Sequence, residues 1–373
     1  MPQATFVPHG TLDYAELRKL GLRPEDITSF SSNINPFGPA PAVLEALRNA
    51  PFSELIPRYP DRFSFELCEL LAALHELSID SILVGNGTAD ILWLIGLVHL
   101  QHRRVAILNP TFGEYFNVAQ LMEAEVINLC HPGWSATSTG YQPSTTTASD
   151  VAKALGDVQP DVVFVCNPNN PTGHYLAPDA LATLYDAAPA ALWIIDEAYA
   201  EFMDSPATTA AWISRGNWLV LRSMTKDFAL GGLRLGYVLG APALIQVLQA
   251  AQPPWNVNLL AQVAGAVALR DGLKWRRSTL TALRKECALL QEGLRGAGYQ
   301  PYPTTVNYFL VPVHSPATLR DALLARRLIV RDCTSFGLPN FIRIAVQRPE
   351  ANARLMQALI ELAPTAVPSS HTI

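Results

Sequence analysis

The chain has 373 residues, 49% of them hydrophobic and 16% charged, with a formal net charge of −5. That balance describes a compact globular protein and argues against a nucleic-acid surface. Its five cysteines, Cys68, Cys130, Cys166, Cys287 and Cys333, form no C-x-x-C pair, so free thiols in a reducing compartment fit better than disulfides or zinc. The N-terminus lacks a basic stretch followed by an apolar one, and the longest strongly apolar run, Ile91 to Leu100, is too short for a bilayer. The expected setting is cytoplasmic, with neither membrane nor nucleic acid as partner.

Residues 1–35 read as an N-terminal arm with one short helix, Leu12 to Leu20. A turn-rich connector, Ser31 to Pro39, leads to a helix opened by Pro41, since proline suits a first turn. Arg58-Tyr59-Pro60-Asp61 breaks the chain, and Phe65 to Leu77 has helical apolar spacing. Short apolar strands follow at Ile82 to Val84, Arg104 to Leu108, Glu125 to Leu129, Val162 to Cys166, Leu192 to Ile195, Trp218 to Leu221 and Leu235 to Leu239. Helical stretches separate most of them, notably Asp90 to His99, Gly113 to Met122 and Pro178 to Ala187. Continuous apolar strands alternating with helices predict an α/β fold whose mostly parallel sheet is covered on both faces. His131 to Asp150, rich in Ser, Thr and Gly, reads as a surface loop without function.

Pro253-Pro254 closes a large domain spanning 36–255. Asn256 to Gly296 reads as one long or broken helix. A smaller α+β domain then runs to residue 364, with strands Val306 to Val311, Leu328 to Arg331 and Phe341 to Val346 and helices Pro316 to Arg326 and Pro349 to Leu362. Residues 365–373 are expected to form a loose tail.

Parallel sheets bind ligands at the carboxyl ends of their strands, and here those ends carry polar clusters. Ser223-Met224-Thr225-Lys226 follows one strand, with Gly231-Gly232 and Arg234 just beyond. Lysine is scarce in this chain, which draws attention to Lys226. A lysine flanked by hydroxyls, glycines and an arginine can hold an aldehyde cofactor that carries a phosphate. Asp196 and Tyr199 follow another strand; a buried carboxylate there needs a cationic partner, either a protonated ring nitrogen or a structural arginine. Asn170 lies in Asn167-Pro168-Asn169-Asn170-Pro171, whose two Asn-Pro steps force extended or turn geometry on their asparagines. Gly85 to Asp90, containing Thr88 and Ala89, opens a helix whose start is an anion site. Phe112 ends the next strand and is either a stacking ring or core. Arg343, inside the apolar run Phe341 to Val346, needs an anion, from a substrate carboxylate or a nearby acid; Arg331 is a second such candidate.

In this order the motifs resemble the fold-type I pyridoxal-phosphate enzymes of the aspartate aminotransferase superfamily, over nearly the whole chain. The resemblance implies a large domain with a seven-stranded, mostly parallel sheet in an α/β/α sandwich and a smaller α+β domain. It makes Lys226 the Schiff-base lysine and proton shuttle, and pairs Asp196 with the pyridine nitrogen. Asn170 and Tyr199 would contact the phenolic oxygen, Phe112 the ring, and Thr88, Ala89, Ser223, Thr225 and Arg234 the phosphate. Arg343 matches the arginine that takes the substrate carboxylate. Tyr59 matches a tyrosine that reaches the neighbouring subunit's cofactor, which implies a homodimer with shared active sites.

Two branches look closest: histidinol-phosphate aminotransferase and L-threonine-O-3-phosphate decarboxylase of cobalamin synthesis. His9-Gly10, Asn33-Ile34-Asn35-Pro36, Pro254 to Asn258 and the Arg331 to Leu338 segment lean toward the decarboxylase. The first expectation is therefore decarboxylation of a small phosphorylated amino acid, with the aminotransferase as alternative. Arg331, Asn33 and His9 are expected to join Arg343 around that substrate. A regulatory module without turnover is disfavoured, because no helix-turn-helix or basic extension is attached and the catalytic set is intact.

Overall fold

A computed structural model describes residues 13–205 and 208–366, with side chains placed up to residue 362. Seven strands form the central sheet: β1 Ile82–Gly85, β2 Arg104–Asn109, β3 Glu125–Cys130, β4 Val162–Cys166, β5 Leu192–Asp196, β6 Trp218–Ser223 and β7 Gly236–Gly240. Their spatial order is β1-β7-β6-β5-β4-β2-β3. β7 runs antiparallel to both neighbours; every other pairing is parallel. The strands are apolar throughout because each face of the sheet meets helices. Val163 and Val165 of β4 join one core, while Val162, Phe164 and Cys166 join the other. This is the period-two alternation of a strand buried on both sides.

Helices α1 Gly87–Ile95 and α2 Glu114–Leu121 cover one face through Ile91, Leu92, Tyr115 and Val118. The expected helix after Pro254 is broken: α3 Leu259–Asp271 stops at Gly272, and α4 Leu273–Gly296 follows. Asn258 caps α3 by accepting the Ala261 N–H at 2.9 Å. Ala261, Ala264 and Leu269 of α3 pack into the core under the central sheet, although the helix lies beyond residue 255. Leu280, Leu283 and Leu290 of α4 belong to a second core, with Phe30, Phe309, Ile342 and Leu355.

That second core supports a three-stranded antiparallel sheet, β8 Tyr308–Pro312, β9 Arg331–Asp332 and β10 Phe341–Ala345, in the order β8-β10-β9. The single strand expected over Leu328 to Arg331 is divided. Leu328–Ile329 pairs in parallel with Thr28–Ser29 of the arm, and Arg331–Asp332 pairs with β10. Val330 between them is buried.

The Ser/Thr-rich stretch is not a plain loop. Trp134–Thr137 and Gly140–Pro143 form an antiparallel hairpin, anchored by buried Trp134 against Tyr302 and Phe341. The final helix continues to Ala366, past the expected end at Leu362, and residues 367–373 lie outside the described residues. All five cysteines are free. Among the described residues no helix is long and apolar enough to cross a membrane.

Candidate active site

The carboxyl ends of β1, β2, β4, β5 and β6 converge on a cavity of about 450 Å³. Its wall includes Asn33, Ala89, Phe112, Asn170, Tyr199, Thr225, Lys226, Arg234, Arg331 and Arg343. These ten residues, spread from 33 to 343, were each expected at a site, and the fold brings them to one place. Asp196 and Ser223 are buried just off the wall.

Lys226 hangs from the loop after β6 with no side-chain hydrogen bond or ion pair among the described residues. Burial, then the nearby Arg343 and Arg234, pull its pKa from 10.5 down to about 8, with Asp196 opposing. The backbone on either side of it is pinned. The Asn35 N–H donates to the Lys226 carbonyl at 2.9 Å, and Asn35 Nδ2 donates to the Asp227 carbonyl at 3.1 Å and to Thr279 Oγ1 at 2.9 Å.

Asp196 ends β5 without an arginine partner. Tyr115 Oη donates to its Oδ2 at 2.7 Å, and the Ala198 N–H donates to its Oδ1 at 3.0 Å. Burial raises the carboxyl's pKa despite those donors. A carboxylate in that position is short of a positive charge. Tyr115 was not anticipated as a site residue. Its sequence signal is slight: it stands three positions after Phe112, close enough in the fold for an edge-on ring contact at 5.6 Å.

An anion corner lies at the start of α1. Gly87 has φ of +81°, and a Cβ there would sit 2.7 Å from Arg234 Nη2. Glycine therefore lets the guanidinium lie against the helix N-terminus, where unpaired N–H groups face outward. A Cβ on Gly236 would meet the Thr88 nitrogen at 2.7 Å, so the first residue of β7 must be small as well. Ser223 Oγ and Thr225 Oγ1 lie 2.6 Å apart beside them. Asn256 Nδ2 donates to Asp90 Oδ2 at 2.6 Å and Asn258 Nδ2 to the Leu233 carbonyl at 2.9 Å, so the Pro254 to Asn258 stretch braces this corner.

The opposite wall is basic. Arg331 and Arg343 stand across from each other on β9 and β10. Arg343 donates to Asn170 Oδ1 and to the Ser31 carbonyl, the latter at 2.7 Å. Its Nε is buried without a partner, and no carboxylate pairs with it among the described residues. The structural salt bridge weighed for Arg343 is therefore absent from the described residues. Arg331 Nη2 donates to Ser335 Oγ at 2.5 Å, and Phe336 packs under both guanidinium groups, 5.1 Å from Arg331 and 5.9 Å from Arg343. Asn33 Nδ2 donates to Tyr199 Oη at 3.3 Å, while burial lifts the Tyr199 pKa to about 12.

Behind the floor runs a buried ionic chain that the sequence did not reveal. Arg222 pairs with Glu197 at 2.8 Å and with Glu201; Arg276 pairs with Glu201 at 3.1 Å and with Asp227 at 2.9 Å. Glu197 and Asp227 each adjoin a floor residue, Asp196 and Lys226. Removing one member of such a pair strands a buried charge, at a cost of about 3–5 kcal/mol.

One expected residue stands apart. Tyr59 is 79% exposed and stacks on Trp255 at 4.6 Å, away from this cavity. His9 lies outside the described residues.

Residues 25–359 match the family model described as aminotransferase class I and II. Histidinol-phosphate aminotransferase of Symbiobacterium thermophilum is 35% identical over 346 residues, covering 92% of this chain and 91% of that protein. Among solved structures, L-threonine-O-3-phosphate decarboxylase from Porphyromonas gingivalis has a TM-score of 0.78 at 24% identity, over 91% of this chain and 100% of that one. Histidinol-phosphate aminotransferase from Sinorhizobium meliloti, in complex with pyridoxal-5'-phosphate, has a TM-score of 0.79 at 20% identity, over 98% of both chains.

Proposed function

We propose, for a chain that belongs to the class I and II aminotransferases and takes pyridoxal phosphate as its cofactor, that it moves an amino group between a small phosphorylated amine of the histidinol-phosphate type and a 2-oxo acid such as 2-oxoglutarate. The observation that carries this reading is the 35% identity to histidinol-phosphate aminotransferase along almost the whole chain. The earlier lean toward the decarboxylase gives way to it, because a likeness at 24% identity speaks for the fold alone.

The residues suit the cofactor. Asp196 is a buried carboxylate that lacks a cation, and a protonated ring nitrogen supplies one. The glycine-lined corner at Gly87 and Arg234, with Thr88, Ala89, Ser223 and Thr225, suits a phosphate. Phe112, Asn170 and Tyr199 line the space between. When bound, the cofactor supplies an electron sink for negative charge at the substrate's Cα. Lys226 would take the proton from Cα and pass it to the cofactor's exocyclic carbon, as an amine whose pKa of about 8 leaves it able to accept and give a proton near neutral pH. Asp196 keeps the ring nitrogen protonated. Arg343 and Arg331 hold the substrate's anionic groups and so set which bond at Cα stands perpendicular to the ring.

The assay is direct. Holoenzyme with histidinol phosphate and 2-oxoglutarate should form glutamate; with O-phosphothreonine it should release no CO2. CO2 without glutamate would overturn the reading in favour of the decarboxylase. One observation favours that second reading: Ile34 of Asn33-Ile34-Asn35-Pro36, a segment that leans toward the decarboxylase, lines the cavity beside Gly231.

A pH prediction follows from Lys226. Below about pH 8 it is an ammonium ion; above, a nucleophilic amine. Capture of pyridoxal phosphate by the apoenzyme should quicken about tenfold per pH unit below pH 8 and level off above it. Stopped-flow absorbance checks this, and a rate still climbing tenfold per unit at pH 10 would refute the depressed pKa. Homodimerisation belongs to the same reading. Exposed Ile56, Tyr59, Phe63 and Phe65 crowd one short stretch, apolar surface that a second copy would cover.

A further inference from the structure

We propose that the hairpin Trp134–Thr137/Gly140–Pro143 sets the grip of the arginine wall on a phosphorylated substrate, with Gly140 as the positioning residue. The inference rests on the reading that this wall takes such a substrate.

The hairpin and the wall meet glycine against glycine. A Cβ on Gly140 would lie 2.0 Å from the Gly337 carbonyl oxygen, and one on Gly337 would lie 2.9 Å from the Tyr141 ring. The Tyr141 N–H donates to that same Gly337 carbonyl at 2.7 Å. A Cβ on Gly140 would collide with backbone and one on Gly337 with the Tyr141 ring, so neither fits unless the joint shifts. The other end of the hairpin is held by Trp134, packed on Phe341 and Tyr302. The contacts at Gly337 and Phe341 fall on the segment that carries the wall.

Gly337 closes a stiff turn. Its N–H donates to the Thr334 carbonyl at 2.9 Å, and the Leu338 N–H donates to the Cys333 carbonyl at 3.2 Å. Ser335 and Phe336 lie inside that turn. Ser335 Oγ fixes Arg331 at 2.5 Å, and Phe336 supports both guanidinium groups. Close-packed interiors pass displacement on rather than absorbing it. A push at Gly337 therefore rotates the platform on which Arg331 and Arg343 lie. Phe336, Arg331 and Arg343 line the cavity, and no hairpin residue does. The hairpin thus acts on substrate only through the wall, where planar two-point arginine recognition tolerates misplacement of about half an ångström.

The test is calorimetric titration of the holoenzyme, its cofactor site filled, with inorganic phosphate. Gly140→Ala should weaken phosphate binding about tenfold and raise KM for histidinol phosphate in parallel, with kcat within about twofold. The visible absorbance of the lysine-bound cofactor should not change. Tyr141→Ala, which keeps the N–H but removes the ring behind Gly337, should weaken binding about threefold and decides the matter if the glycine variant does not fold. Ser138→Ala, at the exposed hairpin tip, should leave binding as it was. Unchanged phosphate affinity in both variants overturns the proposal. So does a loss that appears in kcat or in the cofactor absorbance instead, or a wild-type holoenzyme that binds no phosphate. If the wild type binds phosphate but turns over neither histidinol phosphate nor O-phosphothreonine, the functional reading fails and the titration still decides this one.

Discussion

Lys226→Ala should lower kcat by at least about 10⁴-fold and erase the visible absorbance of the bound cofactor. The two losses have one origin. Among the residues lining the cavity Lys226 is the lysine, so no second amine stands ready to bind the cofactor covalently or to carry the Cα proton. The fold should survive the change. Asn35 grips the backbone at 226 and 227 rather than the lysine side chain, and the ion pairs of Asp227 and Arg276 are untouched. Thermal melting of the apo variant should match that of the wild-type apoenzyme or rise slightly, since a buried amine is removed. Cofactor should still bind through the Gly87–Arg234 corner, but reversibly, so dialysis should strip it. A variant that keeps the absorbance band, or loses less than a hundredfold in kcat, would show that another residue does this work.

Asp196→Asn should cost about 10³-fold in kcat while the cofactor stays attached to Lys226. An amide has nearly the shape of the carboxylate: its Oδ1 can still accept from the Ala198 N–H, while its Nδ2 faces the Tyr115 hydroxyl, which must turn to accept from it. What it cannot do is balance a proton on the ring nitrogen, and an unprotonated ring is a poor sink for electrons. The measurement is glutamate formation against absorbance: activity collapses while the band persists. Loss of the band instead would mean that Asp196 serves mainly to retain the cofactor.

The floor of this site was legible in the sequence because strand ends in a two-sided parallel sheet are predictable. Val162 to Cys166 and Trp218 to Leu221 had to be strands buried on both faces, so Asn170 and Lys226 had to emerge where strands end. The direction of β7 was not legible, since Gly236 to Gly240 is equally apolar in either sense. Tyr115 was missed because a tyrosine inside an amphipathic helix looks like core, and most of its ring is: it stacks on Phe164 at 5.0 Å while only its hydroxyl meets Asp196. The ionic chain through Arg222, Glu201 and Arg276 was missed for a different reason. Its members lie on three distant segments, and a charge inside an apolar run declares that a partner exists without declaring which. The hairpin at Trp134 was hidden by composition, because serine, threonine and glycine suit a loop and a short edge ribbon equally.

The divided segment around Val330 carries a consequence for how the protein is made. Thr28–Ser29, synthesised long before its partner, waits for Leu328–Ile329, and Arg331 waits for Arg343, synthesised after it. By the time β7 has left the ribosome, all seven strands of the central sheet exist, with Lys226, Asp196 and the anion corner among them. The basic wall does not. On the proposed reading, translation delivers the cofactor site first and the substrate wall last, so a chain stalled before residue 328 would carry Lys226 in a half-built pocket with nothing to discriminate with.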